Sequence, residues 1–450
     1  MEILEFLNAY LLGALVPLGL GAVGLFFAVR LHAFPFLHPV RFFRTLMKKR
    51  EGDGISPLRA LSMALAGVLG VGNLVGVSAA IAAGGAGAVF WMWVSATVAM
   101  LLKYAEIVLA LGHRRVSADG ARGGAMYYME DAFAGKHAWI GRLIAGVFAA
   151  LCLINAFGMG CVVQVNAMSS ALHGVSGFPP LLLGLLTAFI VFVAGLGGAR
   201  VISGCTERLV PLMTVGFAVI SLIAIEQQAA DVPALFRNIC TSAFAPDTAT
   251  QSALGGVGGF LLSRALRFGT IRGLLSNEAG CGTSPMAHAT ADTDDAAAQG
   301  CLGIVEVFVD THVLCTMTAL VVLLAWDQVG SLGDAPMLMT LRAYEALLGR
   351  GAGIFLAISV LFFGLATLLC WSHYAAEACA YLVGERAKRS GRVRRGCHVL
   401  YCAFCAVGAI SAPPSVWTIA DFSIGMMTLL NLVVLCRLHR EVEEQSQKLI

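Results

Sequence analysis

Apolar residues in this chain come in blocks as long as a lipid bilayer is thick, and that limits its fold more than any motif does. A helix that crosses a bilayer needs about 20 mostly apolar residues. Eleven blocks qualify, with approximate bounds 5–29, 60–83, 87–112, 140–172, 179–198, 208–226, 253–290, 300–325, 352–383, 397–411 and 416–436. The pattern predicts an all-α polytopic membrane protein of about eleven transmembrane helices. The seventh block is long and studded with glycine, polar and charged residues. Unpaired backbone is not tolerated against lipid, so this block predicts a broken helix lined by protein. Composition agrees: 58% of the 450 residues are hydrophobic and only 13% charged, too apolar for a disordered chain or a soluble enzyme of this size. A net charge of +3 leaves no electrostatic footprint for nucleic acid. The 13 cysteines are scattered through apolar segments. They read as small buried hydrophobes rather than a disulfide framework, and so does the CxxC of Cys402 and Cys405. The first block has no basic residues before it and reads as a retained helix.

Lysine and arginine set the expected orientation. With the N-terminus outside, the inward connections (30–59, 112–142, 197–208, 285–300, 384–396 and the C-terminal tail) carry 23 Lys/Arg. The outward ones carry only Arg237, Arg342 and Arg350. Such a bias predicts an odd number of crossings and a cytoplasmic C-terminus. Arg41, Arg44, Lys48, Lys49 and Arg50, interleaved with Phe42, Phe43, Leu46 and Met47, predict a short helix on the inner surface. No linker interrupts the chain. Residues 1–59 are expected to form an extra N-terminal helix and surface segment, and 60–450 the core.

Two blocks carry the chemistry. Ala66-Gly67-Val68-Leu69-Gly70-Val71-Gly72-Asn73-Leu74-Val75-Gly76 places four glycines and an Asn in eleven residues of the second block. Glycine costs about 1 kcal/mol per helix-interior position, so the cluster signals unwinding. Its freed backbone groups need partners, and a ligand or an ion is one kind. Close helix packing through Gly72-xxx-Gly76 is the other explanation. The seventh block carries Arg272-Gly273-Leu274-Leu275-Ser276-Asn277-Glu278-Ala279-Gly280-Cys281-Gly282-Thr283-Ser284-Pro285. Breaks five helices apart are what an inverted repeat of five plus five produces, with repeats at about 60–226 and 252–437. In such folds half-helix N-termini face anionic substrate groups and unwound carbonyls coordinate a cation. The pairing of breaks predicts a transporter.

Other polar residues at membrane depth have two readings each. Gln164 is either helix–helix glue or a substrate hydrogen-bonding group. Asp310 is either a functional carboxylate or a structural partner for Arg272 or a backbone donor. Lys103 and Glu106, three apart on one helix, are expected to pair with each other. Trp371, beside Ser372 and His373, either packs in the core or caps a small apolar substrate group.

Gly84-Gly85-Ala86-Gly87-Ala88-Val89-Phe90-Trp91-Met92-Trp93 resembles the signature of the alanine or glycine:cation symporter family of the amino acid–polyamine–cation superfamily. So do Gly70-Val71-Gly72-Asn73, Lys103-Tyr104-Ala105-Glu106, Met126-Tyr127-Tyr128, Ser276-Asn277-Glu278-Ala279-Gly280, Phe308-Val309-Asp310-Thr311, Trp371-Ser372 and Ile419-Ala420-Asp421. The resemblance runs through nearly the whole chain in order. It implies a leucine-transporter-like fold, one extra helix before the inverted repeat, in a plasma membrane that is a bacterial inner membrane. It also implies Na⁺-coupled uptake of alanine or glycine by alternating access.

Carried over by resemblance, the substrate lies among Gly70, Val71, Gly72, Asn73, Gln164, Asn277, Ala279, Gly280 and Trp371. Na⁺ lies between backbone carbonyls of Gly67 and Gly70 and the Thr367 hydroxyl. Glu278, Asp310 and Arg272 are coupling or structural ionisable groups. No cofactor is expected besides Na⁺ as coupling ion. The expected partners are a small amino acid and membrane lipid, and a monomer suffices. The sequence departs from the family pattern at Val71, where a Thr is usual, and at Ala366-Thr367, where the pair is Ser-Thr. Ala86 and Ala125 replace prolines, and Cys370 replaces Gly or Ala.

Two rival readings stand beside the symporter. A proton-coupled carrier or exchanger uses Glu278 or Asp310 as the titrating group. A polytopic membrane enzyme needs a catalytic constellation, and the chain contains no HExxH or GxSxG.

Overall fold

A computed structural model describes residues 2–47, 54–117, 120–133, 135–245, 263–330, 336–384 and 387–449. Its long elements are α1 (Ile3–Arg30), α2 (Pro39–Leu46), α3 (Pro57–Val68), α4 (Val77–Gly84), α5 (Gly87–Gly112) and α6 (Gly135–Ser176). They continue with α7 (Pro180–Leu196), α8 (Gly198–Glu226), α9 (Val232–Ser242), α10 (Arg264–Asn277) and α11 (Ala296–Leu324). The last are α12 (Pro336–Leu348), α13 (Arg350–Val383), α14 (Ala387–Ile410), α15 (Pro414–Arg437) and α16 (His439–Ser446). Short helical turns at Ala125–Asp131 and Pro285–His288 lie in connections. So does an antiparallel hairpin pairing Arg115–Ser117 with Gly120–Arg122.

Among the described residues, eight helices are long and apolar enough to cross a membrane, and α3 with α4, bent by 51°, makes a ninth such unit. α7 is apolar but only 17 residues long. The first quarter or so of the seventh expected block, 253–262, lies outside the described residues. α9 and α12 are helices in connections read from sequence as plain loops. Lys48, Lys49 and Arg50 lie outside the described residues, while Arg41 and Arg44 ride on α2 as expected.

Packing follows small residues and lipid exposure. α7 buries Gly184, Thr187 and Val191 on the side facing α14, whereas Leu185, Phe189 and Val193 stand at least half exposed. Such an apolar face suits hydrocarbon, not water. α10 runs along α5, where a Cβ at Gly269 would strike the Ala88 carbonyl and one at Gly273 would stand 2.8 Å from Ser95 Oγ. α11 crosses α5 at Gly300, where a Cβ would lie 2.7 Å from the Tyr104 ring. Without a hydrophobic drive between helices in lipid, close approach through small residues supplies the contact.

Lys103 corrects an expectation. It does not pair with Glu106. Its Nζ lies 3.2 Å from Glu306 Oε1 on α11 and 2.6 Å from Ser284 Oγ. Glu306 Oε2 meets His288 Nε2 at 3.0 Å, and the His288 ring meets Gln299 at 2.8 Å. Glu106 accepts instead from the Gly282 N–H at 2.8 Å and from Asn431 Nδ2 at 2.5 Å. The local three-residue spacing lost to tertiary partners because a buried Lys needs a buried acid opposite it, and α11 supplies one. Both side chains are fully buried, so removing one leaves the other charge unpaired at about 3–5 kcal/mol. Lys103→Met is expected to lower the melting temperature in detergent by several degrees. Arg59→Ala, which breaks a partly exposed pair with Glu207, should cost about 1 kcal/mol or less. Equal shifts for the two variants would contradict this ranking.

Candidate functional site

Two interrupted helices face each other at the centre of the bundle. In the first, α3 ends at Val68 and Gly70 N–H turns back to the Val68 carbonyl at 2.8 Å. The Val71 N–H leaves the helix pattern and donates to Gln164 Oε1 at 3.1 Å. The chain resumes as a wide π turn over Gly72–Gly76 before α4. Gly70 is needed here by space: a Cβ there would stand 2.8 Å from Thr367 Oγ1 and 3.0 Å from Gln164 Oε1.

In the second, α10 closes at Asn277, and Glu278 takes the left-handed conformation with φ of +51°. For a residue with a Cβ that conformation is uncommon and is held by its surroundings. Asn277 Oδ1 accepts the Ala279 N–H at 3.0 Å, Glu278 Oε2 accepts from Thr283 at 2.6 Å, and Asn431 donates to the Gly280 carbonyl at 2.9 Å. The freed backbone of this segment is thus satisfied by α5 and α15, as membrane depth requires.

Asp310 joins the two breaks. It sits on a π turn, Phe308–Cys315, within α11 and is fully buried. Asn73 Nδ2 of the first break donates to its Oδ1 at 2.6 Å. Ser276 Oγ of the second donates to its Oδ2 at 2.8 Å, as does Thr311 Oγ1. Asn277 Nδ2 reaches Thr311 at 3.1 Å. π turns concentrate at functional sites, and Gly72–Gly76, Gly158–Val163 and Phe308–Cys315 all abut this centre.

A small cavity of about 40 Å³ lies between the breaks. Of the residues expected to form the site, Gly67, Gly70, Val71, Gly72, Gln164, Arg272, Glu278 and Trp371 line it. Asn73 and Asn277 stand behind it on Asp310 and Thr311. Ala279 is fully buried, and Gly280 turns its carbonyl to α15 rather than to the cavity. Asp310 does not pair with Arg272. Trp371 lies against Gly160, where a Cβ would come within 2.5 Å of its ring, and donates its indole N–H to the Gly67 carbonyl at 3.3 Å. The Gly67 carbonyl, expected as a cation ligand, carries that donor in this conformation. Thr367 Oγ1 donates to Phe363 O at 3.0 Å and keeps its lone pairs beside Gly70.

The reading of the sequence missed Met159, Val163 and Trp417 as cavity walls, whereas Ser276 belongs to the break expected to face the substrate. Ser276 was legible as the polar residue opening the second break. Trp417 had no signal beyond its place just after Pro413-Pro414. A wider vestibule of about 750 Å³ shares Val71, Val75, Val163 and Trp417 with the small cavity and opens past Arg342, Glu345 and Arg350.

Two broken helices around a small central cavity, in a bundle of apolar helices, define a membrane transporter rather than an enzyme. The solved structure of MhsT in complex with L-phenylalanine aligns at a TM-score of 0.56 over 88% of this chain and 93% of that one, with 14% identity. A manganese transporter of Eremococcus coleocola aligns at 0.51 over 86% and 88%. Both likenesses establish a leucine-transporter-type fold. The sodium:alanine symporter family model matches residues 1–449, and the chain belongs to that family. It is 33% identical to the sodium/alanine symporter AgcS of Methanococcus maripaludis over 99% of this chain and 96% of that one. It is 34% identical to the transporter YflA of Bacillus subtilis over 98% and 91%. The probable sodium/glutamine symporter GlnT of Bacillus subtilis is 31% identical over 90% and 80%. The chain is an integral membrane transporter.

The tight seat of Gly70 makes a direct test. Gly70→Ala forces a methyl against Thr367 and Gln164, an overpacking of about 1–3 kcal/mol. It is expected to cut transport about tenfold or more while the protein still melts cooperatively. Transport at the unsubstituted rate would show that the break does not rest on Gly70.

Proposed function

We propose that this protein carries a small neutral amino acid, alanine or glycine, into the cell with Na⁺ by alternating access. The observation that carries the reading is the confined cavity between the breaks, walled by Trp371, Gln164 and Met159. A Trp wall at such a cavity favours a small side chain, because bulk is rejected by steric clash. The N-terminus is assigned outside and the C-terminus inside by the basic connections. Residues 1–59 form the added N-terminal part, and 60–450 the core with repeats at about 60–226 and 252–437.

In this mechanism Na⁺ sits at the junction of Gly70 and Thr367 and holds the first break against α13. The substrate carboxylate faces N–H groups near Gly72 and Asn73. Its ammonium faces acceptors of the second break from Ser276 to Glu278. Val71 contributes no hydroxyl, and its N–H is already held by Gln164, so Gln164 acts through the backbone it positions. Ala366 leaves Thr367 as the side-chain oxygen of the pair, with backbone oxygen or water completing the shell. A second reading, proton coupling, is favoured by one observation: Glu278 lines the cavity and provides a group that can carry a proton through it.

The test is uptake of labelled alanine and glycine into proteoliposomes with an imposed Na⁺ gradient, K⁺ replacing Na⁺ in the control. Accumulation with Na⁺ alone is expected, and Trp371→Ala should admit leucine. Uptake that follows a pH gradient and ignores Na⁺ would replace this reading with proton coupling. Failure to take up either amino acid would make Val71 the mark of a different substrate.

A further inference from the structure

We infer that Tyr401 is a specificity-determining residue that acts on the substrate cavity from behind its wall; the inference rests on the small-amino-acid reading above. One stretch of α6, the π turn Gly158–Val163, supplies the cavity with Met159 and Val163 and leads directly into Gln164. In a π turn each N–H reaches back five residues instead of four. The added residue rotates every later side chain by about 100° relative to an unbroken α-helix. The turn therefore decides which face of α6 meets the substrate. π turns are rare, and one that sets a binding wall needs a partner outside its own helix.

α14 is that partner. The fully buried Tyr401 donates its hydroxyl to the buried Gly160 carbonyl at 2.7 Å. Its ring packs on Phe157, the residue before the turn, with centroids 5.7 Å apart. Cys161 Sγ lies 3.6 Å from the Tyr401 carbonyl and 3.4 Å from Cys405 Sγ, and Asn166 Nδ2 donates to the Gly408 carbonyl at 3.1 Å. Of these contacts, the Tyr401 hydroxyl alone holds a backbone atom of the turn. The residue it holds, Gly160, is the one that lies against Trp371. α14, the turn and Trp371 thus form three layers, and the hydroxyl sets how near the turn stands to the indole. Met159 and Val163 move with the turn, and Gln164, one residue on, carries the Val71 N–H. In a cavity of about 40 Å³, a small shift of this wall decides between alanine and its next homologue. One methylene in an apolar pocket is worth about 10–200-fold in discrimination.

The test is the ligand-induced melting shift of the purified full-length protein in Na⁺, titrated with glycine, alanine, α-aminobutyrate, valine, leucine and glutamine. Tyr401→Phe removes one oxygen and keeps the ring. It is expected to weaken alanine about tenfold and to cut the preference for alanine over α-aminobutyrate about fivefold or more. Cys405→Ala removes a neighbouring contact between the same two helices and should leave that preference unchanged. Gly408→Ala reaches the turn by a separate route: its Cβ would stand 2.8 Å from Val162 Cα and push the turn off α14, so the preference should shift with the hydroxyl in place. An unaltered preference in Tyr401→Phe, whatever its melting temperature, would overturn the assignment. So would an equal loss of preference in Cys405→Ala, which would make helix packing the cause, or an unaltered one in Gly408→Ala. If a larger probe stabilises the unsubstituted chain best, the small-amino-acid reading fails, while a shift to still longer probes in Tyr401→Phe supports the role of Tyr401. Stabilisation by none of the probes would remove both.

Discussion

A helix interrupted at membrane depth must find partners for the groups it frees, because lipid offers none. Here the partners converge on one carboxylate. Asp310 takes Asn73 from the first interruption and Ser276 from the second, and these two side chains come from segments some two hundred residues apart. Without that bridge each break would face the other with unsatisfied amides and hydroxyls. The cavity between Gly70–Gly72 and Ser276–Glu278 exists because the bridge sets the spacing of its walls.

Around this centre the helices fall into two groups with different bonding. α5, α11, α15 and the segment after α10 are fastened by Lys103, Glu106, Glu306 and Asn431, a buried network in which each charge has a named partner. α13 packs instead with α6, α8 and α14. The seam between the groups runs through Gly70, Gln164, Thr367 and Trp371, where contacts are close but few are ionic. Breaking a buried ion pair is expensive, whereas sliding glycine and aromatic surfaces is less so. In the proposed cycle the seam moves and the network does not.

Much of this was legible in the sequence. Block length identified a membrane bundle, and α5 at Gly87–Gly112 matches its expected bounds because Gly85 and Gly112 punctuate an unbroken apolar run. Both breaks were visible as glycine clusters joined to Asn73 or to Ser276-Asn277-Glu278. What failed was pairing across distance. Lys103 and Glu106 look like a local pair, but a periodic rule cannot see Glu306 on α11 or Asn431 on α15. Asp310 was recognised as unusual, yet its partners depend on how three helices meet. α9 and α12 were missed because their surroundings lack the apolar length of a span. The departures at Val71 and Ala366 became interpretable only with Gln164 on the Val71 N–H and Thr367 beside Gly70.

Linkage gives the most direct test of coupled transport. If Na⁺ and the amino acid stabilise the same closed cavity, each must raise the other's affinity by the same factor. Calorimetric titration of alanine into purified protein, in Na⁺ and then in K⁺ at equal ionic strength, measures that factor, and the reverse titration of Na⁺ checks it. Sodium coupling predicts alanine binding at least about tenfold tighter in Na⁺, a coupling of about 1.4 kcal/mol, with a matching gain in Na⁺ affinity when alanine is present. Equal alanine affinity in the two salts would contradict it.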